Sequence, residues 1–159
     1  MTTQQVSIGS AVLLTEKQQQ TLMAVLNLII PPSDDGRMPG AAEYDIWGYV
    51  GAEANALAPL IRDQLERLNE QALAQHDKPF AALDEAAAQS MVTQIQTAES
   101  DFMRDLANQT VACYYQQDRV LIAIGMEARA PFPRGYEVAA GDLSLLDPVR
   151  ARGRVYRQV

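Results

Sequence analysis

Apolar residues near the start of the chain recur at the spacing of an α-helix. Four of them fall on one helical face: Leu22, Val25, Leu26 and Ile29. Thr15 is placed to cap this helix, and Gln18, three residues later, gives the spacing of a capping box. Pro31 and Pro32 end the helix, because proline lacks a backbone donor and disfavours helical geometry in the residue before it. The pattern predicts a first helix between a loose arm, residues 1–13, and these two prolines.

The same periodicity predicts four more helices. They cover approximately residues 40–50, 57–72, 83–97 and 100–117. On the last of these, one face carries Phe102, Leu106, Thr110 and Cys113, which we expect to point inward. The run RVLIAIGM, residues 119–126, is closed by Gly125, and its pattern fits a strand or another helix equally well. The segment after it holds three prolines and two glycines over residues 128–148, so an ordered coil is predicted there.

These elements predict an all-α fold, a small bundle of about five helices with a long C-terminal extension that contains proline and glycine. The chain has 159 residues, of which 48% are hydrophobic, and this is the size and composition of one globular domain. We therefore expect a single helical domain over residues 1–159. Its last part, residues 118–159, is expected to pack either on the helices or on a partner.

Charge is distributed unevenly along the chain. The net charge is -7, which argues against general nucleic-acid binding, because phosphate contacts require basic surface. Residues 1–116 carry 6 Lys+Arg and 15 Asp+Glu, whereas residues 117–159 carry 7 arginines and 5 acids. Since arginine is enriched at protein interfaces, the C-terminal part is a candidate for partner binding.

The chain has one cysteine, Cys113, and one histidine, His76. A single cysteine excludes an internal disulfide and a cysteine metal cluster. A catalytic thiol would need a base beside it, and His76 lies in a polar stretch with no local relation to Cys113. We expect Cys113 to be a buried apolar residue and His76 to be exposed near a helix end, with no metal site.

Other motifs of catalysis and cofactor binding do not occur in the sequence. Neither phosphate-binding glycine pattern is present, GxGxxG or GxxxxGK[ST], and GxSxG is missing too. Two acidic pairs, residues 34–35 and 84–85, stand at predicted turns or helix starts, where acids serve as caps. The sequence therefore predicts no catalytic and no cofactor-binding residue.

Two aromatic segments could serve as contact surfaces. Tyr114 and Tyr115 end the fifth predicted helix, where they fit either core-edge packing or an aromatic site. The stretch PFPRGY, residues 131–136, fits either a strap across the chain's own helices or a docking surface for a partner. The residues we expect at a partner interface are Trp47, Tyr49, Tyr115, Phe132, Arg134 and Tyr136.

Three stretches, in this order, resemble the small subunit (subunit 3) of gluconate 2-dehydrogenase and related flavoprotein dehydrogenases. The first is LTEKQQQTLMAVLNLIIPPSDDGRMPGAAE, residues 14–43, in which a helix ends at Ile-Pro-Pro and an acidic loop leads to Pro-Gly-Ala. The second is Tyr114-Tyr115, followed after the apolar run by PFPRGY. The third is the close, LLDPVRARGRVYRQV. The resemblance covers most of the chain, and residues 51–100 contribute little to it.

The resemblance implies a non-catalytic subunit that binds, stabilises or helps to export a larger partner. That partner is an FAD-containing dehydrogenase of the glucose-methanol-choline (GMC) type, which oxidises a sugar, a glycoside or a sugar acid. In many such complexes a cytochrome c subunit passes the electrons on. The resemblance thus places FAD in the partner and no cofactor in this chain.

The expected compartment follows from the first residues. The stretch MTTQQVSIGSAVLLTEKQQQ has no basic region and no twin arginine, so it does not read as a signal peptide, and no run of 18 apolar residues could span a membrane. Cytoplasmic location is expected for the sequence as it stands. Periplasmic location is expected if the partner carries the signal or if a signal was trimmed.

Two other functional classes remain alternatives at this point. A stand-alone small enzyme could use Cys113 or Tyr114, although the chain has few groups that titrate near neutral pH. A free-standing helical binding module without a flavoprotein partner is the other.

Overall fold

The computed structural model describes residues 13–98, 100–130, 132–135, 137 and 139–153, and every regular element among them is helical. Contacts group the described residues up to 128 into one compact unit and those from 129 onward into a second. The α-helices of the first unit are α1 (Glu16–Ile29), α2 (Ile46–Glu53), α3 (Ala58–His76), α4 (Glu85–Ala98), α5 (Ser100–Tyr114) and α6 (Asp118–Ala123). The second unit holds α7 (Asp147–Ala151). The all-α prediction is confirmed.

Helix α1 begins and ends as the sequence predicts. The Thr15 hydroxyl accepts a hydrogen bond from the Gln18 backbone N–H at 3.3 Å, and the Gln18 side chain accepts one from the Thr15 N–H at 2.9 Å. This reciprocal capping box satisfies two backbone donors that the helix leaves unpaired. The helix ends at Ile29, and Ile30 is extended (φ -136°, ψ 93°) ahead of the two prolines.

The core of the first unit forms where α1, α3 and α5 meet. The largest fully buried apolar side chains of these helices are Val25, Ile61, Leu65, Leu68, Leu106 and Tyr114. Burying a side chain of this size stabilises the fold by about 1.5–3 kcal/mol. Two polar side chains inside this core are satisfied, since Thr110 donates to the Leu106 carbonyl at 2.8 Å and Asn69 accepts from the Phe80 N–H at 3.1 Å.

The prediction of one helix over residues 40–50 is wrong. Residues Ala41–Glu43 form a short 3-10 turn, Tyr44 is extended, and α2 starts only at Ile46. The cause is Asp45, whose carboxylate accepts a hydrogen bond from the Gly48 N–H at 2.8 Å and so caps a new helix. Aspartate favours this position over a helix interior, because its side chain competes for backbone donors.

Residues 119–126, left open between strand and helix, belong to α6 and its C-terminal cap. The Met126 N–H donates to the Leu121 carbonyl at 2.8 Å, and the Gly125 N–H donates to the Ile122 carbonyl at 3.0 Å. This pair of bonds is a Schellman motif, which needs a left-handed residue, and Gly125 supplies it with φ +81°. Val120 is the buried residue of this short helix.

The second unit contains more helix than the predicted coil. A 3-10 turn, Leu143–Leu146, leads directly into α7. Its N-cap is Asp142, whose carboxylate accepts from the Ser144 N–H at 3.0 Å and from the Ser144 hydroxyl at 2.6 Å. These caps are local, so a short helical segment forms here despite the proline and glycine content of its surroundings.

Candidate partner-binding face

The loop between α1 and α2, residues 31–40, is held by hydrogen bonds of its own. The Ser33 N–H donates to the Met38 carbonyl at 2.9 Å, and the Ser33 hydroxyl oxygen accepts from the Met38 N–H at 2.9 Å. The Gly36 N–H donates to the Ser33 carbonyl, and glycine is needed at the tip because φ there is +68°. A loop closed by its own backbone in this way has a defined shape before any partner binds.

The acidic tip of this loop is built around Asp35. Its carboxylate accepts from the Ser33 hydroxyl at 2.7 Å and from the Arg37 N–H at 3.1 Å, and it pairs with the Arg37 guanidinium. The Ser33 hydroxyl first, and the Arg37 backbone and side chain next, hold the pKa of Asp35 below its ordinary value. The carboxylate therefore stays charged at neutral pH as an exposed feature of the loop.

Long-range contacts tie the loop to the C-terminal part of the first unit. The buried Tyr114 hydroxyl, on α5, donates to the Pro39 carbonyl at 2.7 Å. On α6, the Arg119 guanidinium pairs with Glu43 at 2.8 Å and lies 3.5 Å from the Gly36 carbonyl. The Tyr114 bond contributes more to stability, because the Arg119 and Glu43 side chains are about half exposed and surface pairs are worth little.

Close packing at Gly40 fixes the other end of the loop. A Cβ atom at this position would lie 2.8 Å from the Asn27 side-chain oxygen and 3.0 Å from the Pro32 ring. The Gly40 N–H donates to the Glu43 carboxylate at 3.0 Å, and the same carboxylate accepts a hydrogen bond from Arg119. Glycine is thus required here by space and not by backbone conformation.

Three tyrosines form a row behind the loop. Tyr44 and Tyr114 meet edge to face with ring centroids 5.8 Å apart, and Tyr114 meets Tyr115 at 5.2 Å. Edge-to-face pairs of this kind add about 0.5–1.5 kcal/mol beyond area burial. Burial raises the pKa of both Tyr44 and Tyr114 above the ordinary value. The Tyr44 hydroxyl is buried and makes no hydrogen bond to any described residue.

Several apolar side chains are exposed at the end of α5 and around α6, the helices that contact the loop. Tyr115, just after α5, is 46% exposed, and three more exposed apolar residues lie on α6 or directly after it: Ile122, Ile124 and Met126. Arg119, on α6, pairs with Glu43 and lies 3.5 Å from the Gly36 carbonyl of the loop. We group the loop and these exposed side chains as a candidate surface and call it the loop face: residues 33–38, Tyr115, Ile122, Ile124 and Met126.

The six residues predicted at an interface lie in different places. Tyr49 and the turn after α5 come together, since the Gln116 amide donates to the Tyr49 hydroxyl at 3.3 Å, next to Tyr115. Trp47 instead lines a groove against α1 with Leu22 and Met23.

Phe132 and Arg134 are exposed in the second unit, and Tyr136 lies outside the described residues. An interface role for any of the six stays a prediction. Tyr114, for which the sequence left core-edge packing and an aromatic site open, is buried and bonds the loop. The sequence analysis assigned no role to Glu43 or Arg119, which pair across the loop.

The groups considered for catalysis are poorly placed for it. Cys113 is buried, burial raises the pKa of its thiol, and its sulfur lies 3.6 Å from the Gln117 amide, which is not a base. His76 is exposed and ends α3. In the described part of the chain, no three His, Cys, Asp or Glu side chains are grouped to hold a metal ion. None of the helices described is long and apolar enough to cross a membrane.

Comparison with protein families identifies the chain. The sequence profile described as gluconate 2-dehydrogenase subunit 3 matches residues 16–123, more than half of the chain. The chain belongs to the gluconate 2-dehydrogenase subunit 3 family. Comparisons with curated proteins and with solved structures give no significant match. The family is named for a subunit of a dehydrogenase, and the matched residues include the loop, Tyr114 and Arg119.

Proposed function

We propose that this chain is the non-catalytic small subunit of a dehydrogenase complex and binds and stabilises its large subunit. That large subunit is an FAD-dependent dehydrogenase of the GMC type that oxidises a sugar, a glycoside or a sugar acid. The observation that carries the proposal is the family match over residues 16–123, which contains the whole tethered loop.

The physical character of the loop face supports a binding role. Its shape is set by the Ser33–Met38 bonds and by the Tyr114–Pro39 bond. A surface that is already ordered loses less conformational freedom on binding, so more of the contact energy appears as affinity. The exposed aromatic and aliphatic side chains beside the loop are of the kind that anchor interfaces.

The chemistry of the complex belongs, in this proposal, to the partner. FAD binds the large subunit and accepts the electrons of the sugar, and a cytochrome c subunit, where one is present, carries them onward. This chain contributes contacts and no cofactor. It works in the cytoplasm, or in the periplasm if it is exported together with a partner that carries the signal.

The test is purification of the tagged chain from its native host, followed by mass spectrometry and a visible absorbance spectrum. The proposal expects a complex with flavin absorbance that contains one large oxidoreductase of the GMC type. A colourless chain that purifies alone, under conditions in which the host expresses such a dehydrogenase, would contradict it.

A further inference from the structure

The tip of the loop between α1 and α2 contains the only Asp-Gly pair in the sequence, Asp35–Gly36. This dipeptide is prone to spontaneous isomerisation, because glycine has no side chain to shield its backbone nitrogen. In that reaction the Gly36 nitrogen attacks Asp35 Cγ, an N–Cγ bond forms, and the amide proton leaves with the carboxyl hydroxyl as water. Water then cleaves the bond between the Gly36 nitrogen and the Asp35 backbone carbonyl carbon. The chain afterwards continues through Cβ and Cγ, as an isoaspartyl residue.

Exposure at the tip favours this reaction. The Asp35 side chain is half exposed, and nothing lies within 4 Å of the place where a Cβ atom on Gly36 would stand. Neither burial nor packing therefore keeps the carboxyl group and the amide nitrogen apart.

Hydrogen bonds within the loop oppose the same reaction. The carboxyl group must be protonated before water can leave, yet the Ser33 hydroxyl and the Arg37 N–H donate to it at 2.7 Å and 3.1 Å, and the Arg37 guanidinium pairs with it. These donors, Ser33 first, hold the pKa of Asp35 below its ordinary value, so little of the neutral acid is present. The attacking nitrogen is engaged as well, because the Gly36 N–H donates to the Ser33 carbonyl at 2.9 Å.

The same bonds restrain the direction of the carboxyl group. Its Oδ1 atom accepts from the Ser33 hydroxyl on one side of Gly36 and from the Arg37 N–H on the other. The attack requires a carboxyl group that is free to turn its carbon onto the Gly36 nitrogen, so these bonds must open first. Hydrogen bonds to a charged group are stronger than bonds between neutral groups, and opening them slows the reaction.

We propose that Asp35–Gly36 is a latent site of isoaspartate formation, and that Ser33 and Arg37 protect it by holding the Asp35 carboxylate and the Gly36 amide in the folded loop. This inference does not depend on the proposed function. Isomerisation adds one atom to the main chain between residues 35 and 36. The added atom changes the spacing of the Ser33–Met38 bonds that close the loop. An isomerised chain therefore no longer has the loop shape described above.

The test follows isoaspartate formation in the full chain during incubation at neutral pH and constant temperature. Methylation by an isoaspartyl-specific methyltransferase counts the modified residues, and fragmentation in a mass spectrometer locates them. The same chain unfolded in guanidinium chloride gives the unprotected rate. Asp35→Glu should remove the signal, because the longer side chain would have to close a larger ring. We expect the folded wild type to react at least ~10-fold more slowly than the unfolded chain, since the loop must first open locally.

Two variants test the protecting residues. Ser33→Ala removes the hydroxyl that donates to Asp35, whereas Arg37→Gln removes the guanidinium and keeps the backbone bonds of the loop. We expect each to raise the rate in the folded chain by at least ~3-fold, because fewer bonds to the charged carboxylate must break. The matched control is Arg62→Gln, which removes an ion pair on α3 and should react at the wild-type rate.

Circular dichroism establishes that the variants are folded. The Arg37 side chain is 79% exposed, so Arg37→Gln is expected to fold and decides the question even if Ser33→Ala does not. Equal rates in the folded and the unfolded wild type would overturn the proposal, because the loop would then give no protection. A wild-type rate in a folded variant would overturn the role given to the residue replaced. An unfolded chain without isoaspartate at residue 35 would exclude the site itself.

Discussion

Replacement of Gly40 by alanine tests whether close packing fixes the loop. The added Cβ would lie 2.8 Å from the Asn27 side-chain oxygen, 3.0 Å from Pro32 Cδ and 3.3 Å from Pro32 N. The Asn27 side chain can rotate away, but the ring and backbone of Pro32 can move only if the end of α1 or the loop shifts. Overpacking of this kind costs about 1–3 kcal/mol. For a chain of this length, a loss of about 2 kcal/mol lowers Tm by roughly 4–8 °C.

The matched control is Gly51→Ala in α2, where nothing lies within 4 Å of the added Cβ. Alanine in a helix interior is favoured over glycine, so this variant should be as stable as the wild type or up to ~1 kcal/mol more stable. Urea unfolding followed by circular dichroism measures both. Equal stability of Gly40→Ala and Gly51→Ala would refute the claim that the packing at Gly40 holds the loop.

Three further predictions follow from the tyrosine row and the buried thiol. Tyr114→Phe leaves the buried Pro39 carbonyl without its donor, so the free energy of unfolding measured in urea should fall by about 1–3 kcal/mol. In the control Tyr115→Phe it should change by no more than ~0.5 kcal/mol. Equal losses in the two variants would contradict the role given to Tyr114. Burial raises the pKa of Tyr44 and Tyr114 above 10.0, so the folded state retains protons that the unfolded state releases. The free energy of unfolding should therefore fall as pH rises above about 10, and it should fall less steeply in Tyr114→Phe. A free energy of unfolding that does not change over this pH range would refute the prediction. Cys113 should react with a thiol reagent at neutral pH only when the chain unfolds, because the thiol is buried and its pKa is raised. Fast labelling of the folded chain would contradict this prediction.

Local chemistry explains what the sequence predicts well. The limits of α1 follow from Thr15, Gln18 and the two prolines, all of which act within a few residues. The predicted helix over residues 40–50 fails for the same kind of reason, since a single carboxylate, Asp45, starts a new helix there. Periodicity reports which positions are apolar and is insensitive to a side chain that caps the backbone.

The contacts that hold the loop in place could not be predicted from the sequence pattern, because they join residues that are far apart along the chain. Tyr114 and Pro39 are 75 residues apart, and Arg119 and Glu43 are 76 apart. No pattern within a helix specifies these pairs, which exist only once α5 and α6 have packed beside the loop. Tyr115 was predicted as an interface residue and is exposed, whereas its neighbour Tyr114 carries the structural bond.

The most direct test of a stabilising, non-catalytic role separates the two subunits and recombines them. Sugar-dependent reduction of a dye is measured for each subunit alone, and Tm of the flavoprotein is measured with and without the chain. We predict that all turnover stays with the flavoprotein. Its Tm should rise when the chain is added, since a ligand at 100 times Kd stabilises by about 2.7 kcal/mol. Turnover by the isolated chain, or an unchanged Tm at saturating concentration, would contradict the role proposed for it.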